Sequence, residues 1–284
     1  MIVVRIIGGL GNQMFQYATA RAAADRLGVE LLLDLRGMST YRVSPYRLDR
    51  FAIRARPALP SEVRRWPKWA RLGARLSPRV AAGLGMLSET QLTFNPKVER
   101  LGDNMLLDGY FQSERYFSAI APALRREFVP REQLSAAAQA LAISAEAPDS
   151  VMIHVRRGDY VHNHKARAVH GLCSMAYYES AMTAIKAKVP NPRFFIFSDD
   201  LAWTRQNLHV TGDSIWVSGN PAEVDLYLMS KCHHHIIANS TFSWWGAWLG
   251  EKPGSFIVAP TPWFEHQTVA APDLIPFRWH PVAK

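Results

Sequence analysis

The sequence predicts an α/β protein with parallel sheets, arranged as two successive halves, and three observations carry that expectation. Short runs of continuous apolar residues alternate with stretches of helical periodicity. Glycine-rich or polar turns stand where each apolar run gives way to the next helix, and an alanine-rich stretch at 131–147, closed by Pro148, separates two such series. Unbroken apolar runs belong to strands covered on both faces, which is how parallel sheets are built.

The first element is a strand at 2–7, running into the turn Gly8-Gly9-Leu10-Gly11-Asn12-Gln13 and then a helix. Met14, Phe15, Ala18, Ala22 and Leu27 form its core-facing stripe, and Gly28 stands where a C-terminal cap is expected. Glycines at such a junction let backbone amides approach a ligand at the helix N-terminus, where phosphate is favoured. The dinucleotide fingerprint is incomplete, because Met14 occupies the place of the third glycine. A second strand follows at 29–33. Residues 54–79 carry many arginines, with Trp66, Trp69, Leu72 and Leu76 at roughly helical spacing, so they predict a basic surface helix that either covers the core or rests on an anionic membrane. Another strand begins at Met105, and Ser113 is placed to cap a helix.

The second half opens on a strand, Val151-Met152-Ile153-His154-Val155, that ends in Arg156-Arg157-Gly158-Asp159. Side chains alternate along a strand, so Val151, Ile153 and Val155 share one face and His154 and Arg156 the other. Gly158 permits a turn that returns Asp159 toward the same point. Ligands of open α/β sheets bind at the carboxyl ends of strands, which makes this cluster a site candidate; an arginine pair solvated at a strand end is the alternative. Helices are expected at 175–188, 222–231 and 241–249, and strands at 193–197, 215–217 and 235–238. Asp199-Asp200 could hold a metal on a nucleotide, with capping of the next helix favoured. His233-His234-His235 alternate in direction on a strand and are not expected to converge on one ion. Asn239-Ser240-Thr241 could present hydroxyls and amides to phosphate, or Ser240 could be a plain N-cap. The alternation amounts to two Rossmann-like domains.

Composition limits the function. The chain has 284 residues, 48% of them apolar and 20% charged, which is globular and not disordered. Its 33 Lys+Arg against 24 Asp+Glu suit an acidic ligand or an anionic surface. Two cysteines, Cys173 and Cys232, are too few for a disulfide framework, and neither a signal peptide nor a bilayer-spanning run is evident. The expectation is a soluble cytoplasmic protein.

The motifs together resemble those of the bacterial α-1,2-fucosyltransferases, glycosyltransferase family 11. The resemblance rests on Gly8-Gly9-Leu10-Gly11-Asn12-Gln13-Met14-Phe15-Gln16-Tyr17-Ala18, Gly109-Tyr110-Phe111-Gln112-Ser113-Glu114, His154-x-Arg156-Arg157-x-Asp159, Phe197-Ser198-Asp199-Asp200, Asp225-Leu226-Tyr227-Leu228-Met229-Ser230 and Asn239-Ser240-Thr241-Phe242-Ser243-Trp244-Trp245-Gly246. It covers nearly the whole chain and is weakest at 54–100 and after Trp263, where acceptor choice is expected to be shaped. It implies a GT-B fold of two facing Rossmann-like domains: an N-terminal acceptor-side domain at 1–148 with a basic helical insertion near 54–100, a donor-binding domain at 149–262 and a tail at 263–284. It also implies an inverting transfer of L-fucose from GDP-fucose to the 2-hydroxyl of a galactose-terminated glycan, without a metal or other cofactor, in surface polysaccharide assembly. Arg156 would grip the β-phosphate, with His154, Arg157 and Asp159 shaping the same site. Asp225 would help hold the guanosine, Asn239, Ser240 and Thr241 would line the phosphates, and Gly11 with Asn12 would act from the N-terminal domain. Peripheral contact with an anionic membrane is left open beside a basic helix that only covers the core, and nucleic acid is not expected. The competing readings are a non-catalytic basic protein that binds nucleic acid or a membrane, and a GT-B enzyme using another nucleotide sugar.

Overall fold

The computed structural model describes residues 1–38, 44–67, 69–70, 73, 77–158, 164–266 and 269–284. It divides into two compact units, Met1–Val129 with Ala270–Leu274, and Pro130–Val269 with Ile275–Lys284.

The first unit contains β1 (Ile2–Arg5), α1 (Leu10–Leu27), β2 (Leu31–Asp34), β3 (Arg56–Pro57), α2 (Pro78–Gly83), β4 (Met86–Ser88), β5 (Met105–Asp108) and α3 (Ala121–Glu127). Its five strands are parallel, in the order β3-β2-β1-β5-β4. The strand order therefore changes direction between β1 and β5. Gly8, at φ +85°, turns the chain out of β1, and a Cβ there would lie 2.8 Å from Asn12 Nδ2. Gly8→Ala is expected to cost about 1–2 kcal/mol, the penalty of a left-handed non-glycine residue; a lowered urea midpoint at constant slope checks it. Gly28 closes α1 in the left-handed conformation at φ +63°, as its position predicts.

The basic segment departs from expectation. Residues 61–66 form turns, residues 69–70 and 73 are helical, and Leu72 and Leu76 lie outside the described residues. Trp66 is fully buried with Val3, Leu32, Val63, Met86 and Leu106, and its indole N–H donates to Leu84 O at 2.8 Å, whereas Trp69 is exposed. Its burial in the sheet's core fixes the segment where helical periodicity suggested a surface element. The arginines are partly neutralised locally: Arg56 bridges Glu30 and Glu62, and Arg54 pairs with Glu127.

The second unit comprises α4 (Ala136–Ala145), β6 (Ser150–Val155), α5 (His164–His170), α6 (Met175–Lys186), β7 (Arg193–Ser198), α7 (Leu201–Asn207), β8 (Ser214–Trp216), α8 (Ala222–Lys231), β9 (His234–Ile236), α9 (Thr241–Gly250), β10 (Ile257–Thr261) and β11 (His280–Ala283). Six parallel strands run in the order β11-β10-β9-β6-β7-β8, with the reversal between β6 and β9. Val151, Ile153 and Val155 pack together against Tyr177, Tyr178, Met182 and Ile185 of α6, which confirms one face of the opening strand. The units divide near residue 130, not at 148/149, because α4 packs on α8 and Ser150 Oγ donates to Ala145 O. The segment at 263–284 is no separate tail, since β11 pairs with β10.

Candidate active site

The carboxyl end of β6 lies at the point where the second sheet's strand order reverses, the place where open α/β sheets leave a crevice for ligands. Two registers assemble the cluster. Val155 pairs with Ser198 on β7, so the next residues, Arg156 and Asp199, meet as the strands end. Arg156 Nη1 stands 2.8 Å from Asp199 Oδ2, with the side chains 30% and 25% exposed, dry enough to hold geometry and open enough to meet a ligand. The Arg157 N–H donates to Asp199 Oδ1 at 2.8 Å. Gly158 permits this packing: a Cβ on it would lie 2.4 Å from Asp199 Oδ2. Arg157 turns toward α7, its Nε 3.3 Å from Asp200 Oδ2 and its guanidinium 3.4 Å from the Trp203 ring centre. Asp200 also caps α7 by accepting from the Trp203 N–H, as the sequence favoured, and Asp199 is the ion-pair partner of Arg156, a role the sequence reading missed.

Ile153 pairs with Ile236 on β9, so Arg156 and Asn239 each follow three residues past that pair at adjacent strand ends. The Asn239 carboxamide is turned inward: Nδ2 donates to His170 O at 2.7 Å, and Oδ1 accepts from Cys173 Sγ. Its side chain therefore ties loops together, and what it offers a ligand is backbone. Ser240 N-caps α9 through its hydroxyl, which accepts from the Phe242 N–H, and half-buried Thr241 is the first residue of that helix. A helix N-terminus and a guanidinium at neighbouring strand ends suit a diphosphate.

His154 is buried against Phe242, ring centres 5.8 Å apart. Burial drives its pKa well below the imidazole norm, against the opposing pull of Asp199. At neutral pH it is uncharged, and so weak a base contributes little to proton removal. Asp225, in the first turn of α8, is half-buried and accepts from Asn220 Nδ2 at 3.1 Å; burial raises its carboxyl to about 6. Asp159 lies outside the described residues. The histidine run diverges: His234 Nε2 meets Pro148 O and His235 Nε2 meets Met229 O.

In the first unit, Gly11 and Asn12 open α1, and Asn12 Oδ1 accepts from Gln112 Nε2 at 2.9 Å. Gln13 ties the same turn to Gly8 O and Pro45 O. Arg5 and Asp108 pair at 2.9 Å across the ends of β1 and β5. The Asn12–Gln112 and Arg5–Asp108 contacts were not legible in the sequence, since each depends on β5 pairing with β1.

Two parallel sheets, one with an anion-suited cluster at its reversal point, make an α/β fold of GT-B type. The chain belongs to glycosyltransferase family 11, whose family description, Glycosyl transferase family 11, matches residues 96–280. It is 35% identical to an alpha-1,2-colitosyltransferase of Escherichia coli, over 100% of this chain and 99% of that one. It is 30% identical to the O-antigen biosynthesis glycosyltransferase WbnK of Escherichia coli (90% and 93% covered) and 28% identical to galactoside alpha-(1,2)-fucosyltransferase 2 of Mus musculus (88% and 68% covered). The fold matches the crystal structure of NodZ alpha-1,6-fucosyltransferase soaked with GDP-fucose at a TM-score of 0.52 and 20% identity, over 87% of this chain and 92% of that one. Among the described residues, no helix is long and apolar enough to cross a membrane.

Proposed function

We propose that the protein transfers a deoxyhexose, L-fucose in the first reading, from a GDP-activated donor to the 2-hydroxyl of a galactose-terminated glycan, with inversion and without a metal, during O-antigen assembly. The observation that carries it is Arg156, fixed by Asp199 at the strand end beside the α9 N-terminus. The names of the Escherichia coli and mouse relatives support the linkage and the setting. As the acceptor oxygen bonds to the sugar C1, the bond from C1 to the donor phosphate breaks. The sugar gains oxocarbenium character and the electron pair leaves on the diphosphate. The hydroxyl proton passes to a base. A planar fork of N–H donors stabilises the growing phosphate charge, and interactions that strengthen in the transition state are the ones that raise rate.

A second donor is favoured by the colitosyltransferase relative: colitose is a 6-deoxyhexose that also lacks the 3-hydroxyl of fucose. Incubating the enzyme with equal GDP-fucose and GDP-colitose and a β-galactoside decides between them, since the product masses differ by one oxygen. Dominant fucosyl product supports the first reading, and dominant colitosyl product replaces it.

Asp225, as the guanine acceptor, gives a pH test. Its carboxyl is ionised only above about 6, so guanosine affinity is expected to fall about tenfold per unit as pH drops below that value. The sign for stability is opposite. A folded-state pKa raised from 3.8 makes this group's contribution full below 3.8 and lost as pH rises through about 6. Calorimetric titration with guanosine, which carries no titrating phosphate, checks the prediction; Asp225→Asn should flatten the slope.

A further inference from the structure

The first unit holds a cavity of about 180 Å³ that plays no part in the anion site. It opens where β4 and β5 end, at the carboxyl edge of the first sheet, the edge at which such sheets take ligands. One wall is aromatic: Phe94 and Tyr116 lie with centres 4.8 Å apart and ring planes tilted by 40°, and Phe111 meets Tyr116 edge-on at 5.7 Å. The other wall is polar, with Glu89, Thr90, Gln91 and Thr93. The Glu89 carboxylate accepts from the Tyr110 and Phe111 N–H groups, at 2.6 and 3.0 Å. It thereby fixes Phe111 at φ +53°, a left-handed conformation that costs energy in a non-glycine residue. The turn also requires Gly109, whose Cβ would fall 2.4 Å from Glu89 Cβ. Strain held in place by a desolvated carboxylate marks a functional wall more often than a neutral surface.

The lining restricts the guest. A carboxylate oxygen has more acceptor capacity than two N–H groups use, and the Gln91 amide supplies both a donor and an acceptor. Glu89 disfavours an anion. The Arg115 guanidinium, paired with Asp273, already lies over the Phe94 ring at 3.9 Å from its centre, so that ring face is not open to a second cation. The volume falls below the roughly 300–1,000 Å³ of sites for drug-sized ligands, which suits a single small ring. What remains is a neutral polyol with one apolar face, since an aromatic wall meets C–H groups while the polar wall meets hydroxyls.

We propose that this cavity seats one neutral pyranose of the glycan acceptor, with the Glu89 and Gln91 wall reading its hydroxyls and the Phe94 and Tyr116 wall its C–H face. The glycan identity rests on the transferase reading above; the cavity's preference for a pyranose does not. Much of the lining comes from 87–95, ahead of the residues 96–280 that the family description matches.

Saturation-transfer NMR of the full chain with methyl β-D-galactopyranoside tests it directly, using wild type, Phe94→Ala and Gln91→Ala. Gln91 is exposed and its replacement leaves the core untouched, so a folding failure of Phe94→Ala does not remove the test. Binding to wild type that weakens at least about fivefold in Gln91→Ala, with the GDP-induced rise in Tm unchanged, is the expected result. In the transferase assay the same variant should raise the acceptor KM about tenfold and leave the donor KM unaltered. Equal pyranoside binding by wild type and both variants, or no binding of methyl galactoside, glucoside or N-acetylglucosaminide to wild type, overturns the proposal. Absence of transfer with pyranoside binding intact and lost in Gln91→Ala would instead remove the transferase reading and leave the cavity assignment standing.

Discussion

Replacing Arg156 by lysine is expected to lower turnover at least about a hundredfold, the scale of losing one pre-organised donor to a developing anion. Charge is retained in that variant, so the loss isolates geometry. A guanidinium carries five N–H donors in one plane, and the Nη1 contact to Asp199 sets the orientation of that plane as well as the position of the charge. An ammonium is a point charge that Asp199 would draw aside. The hundredfold loss corresponds to about 2.7 kcal/mol of transition-state stabilisation. Turnover should fall while the apo protein melts as wild type does. Near-normal turnover by the folded variant would show that Arg156 is not the phosphate grip.

Asp199→Asn is expected to lower turnover about ten- to a hundredfold without touching substrate directly. Asp199 accepts from both Arg156 and the Arg157 backbone, in space that a Cβ on Gly158 would take. The amide keeps the size but loses the charge that draws in the guanidinium, and a displacement of about 1 Å at a reacting centre costs on the order of a hundredfold. A role confined to stability would lower Tm and leave the GDP-induced rise in Tm intact. The positioning role predicts the reverse, with apo Tm nearly kept and the GDP response reduced. Turnover within twofold of wild type contradicts it.

How far the sequence could be read depended on whether the information was local. The glycine turn after β1, the left-handed Gly28 cap, the Ser113 cap and the two-faced strand ending in Arg156 follow from neighbours in the chain, and each is found in the structure. The partners of these groups follow from strand order, which no local pattern carries. Asp199 looked like a metal ligand or a cap because nothing in Phe197-Ser198-Asp199-Asp200 reveals that β7 lies beside β6. Asn239 looked like a phosphate ligand because its inward carbonyl partners sit far away in sequence, at His170 and Trp263. Trp66 suggested a surface helix because aromatic spacing alone cannot tell a solvated stripe from a plug in a core. Glu89 drew no notice, since its function as the clamp on a strained turn requires β4 to pair with β5.

The central claim is tested most directly by incubating the full chain with GDP-fucose and a β-galactoside, with and without EDTA, and determining the linkage of any product by NMR. The account predicts release of GDP and an α-1,2-linked deoxyhexosyl galactoside at a rate EDTA does not change. No GDP release and no new glycoside from GDP-fucose or GDP-colitose, across several galactosides, would contradict it.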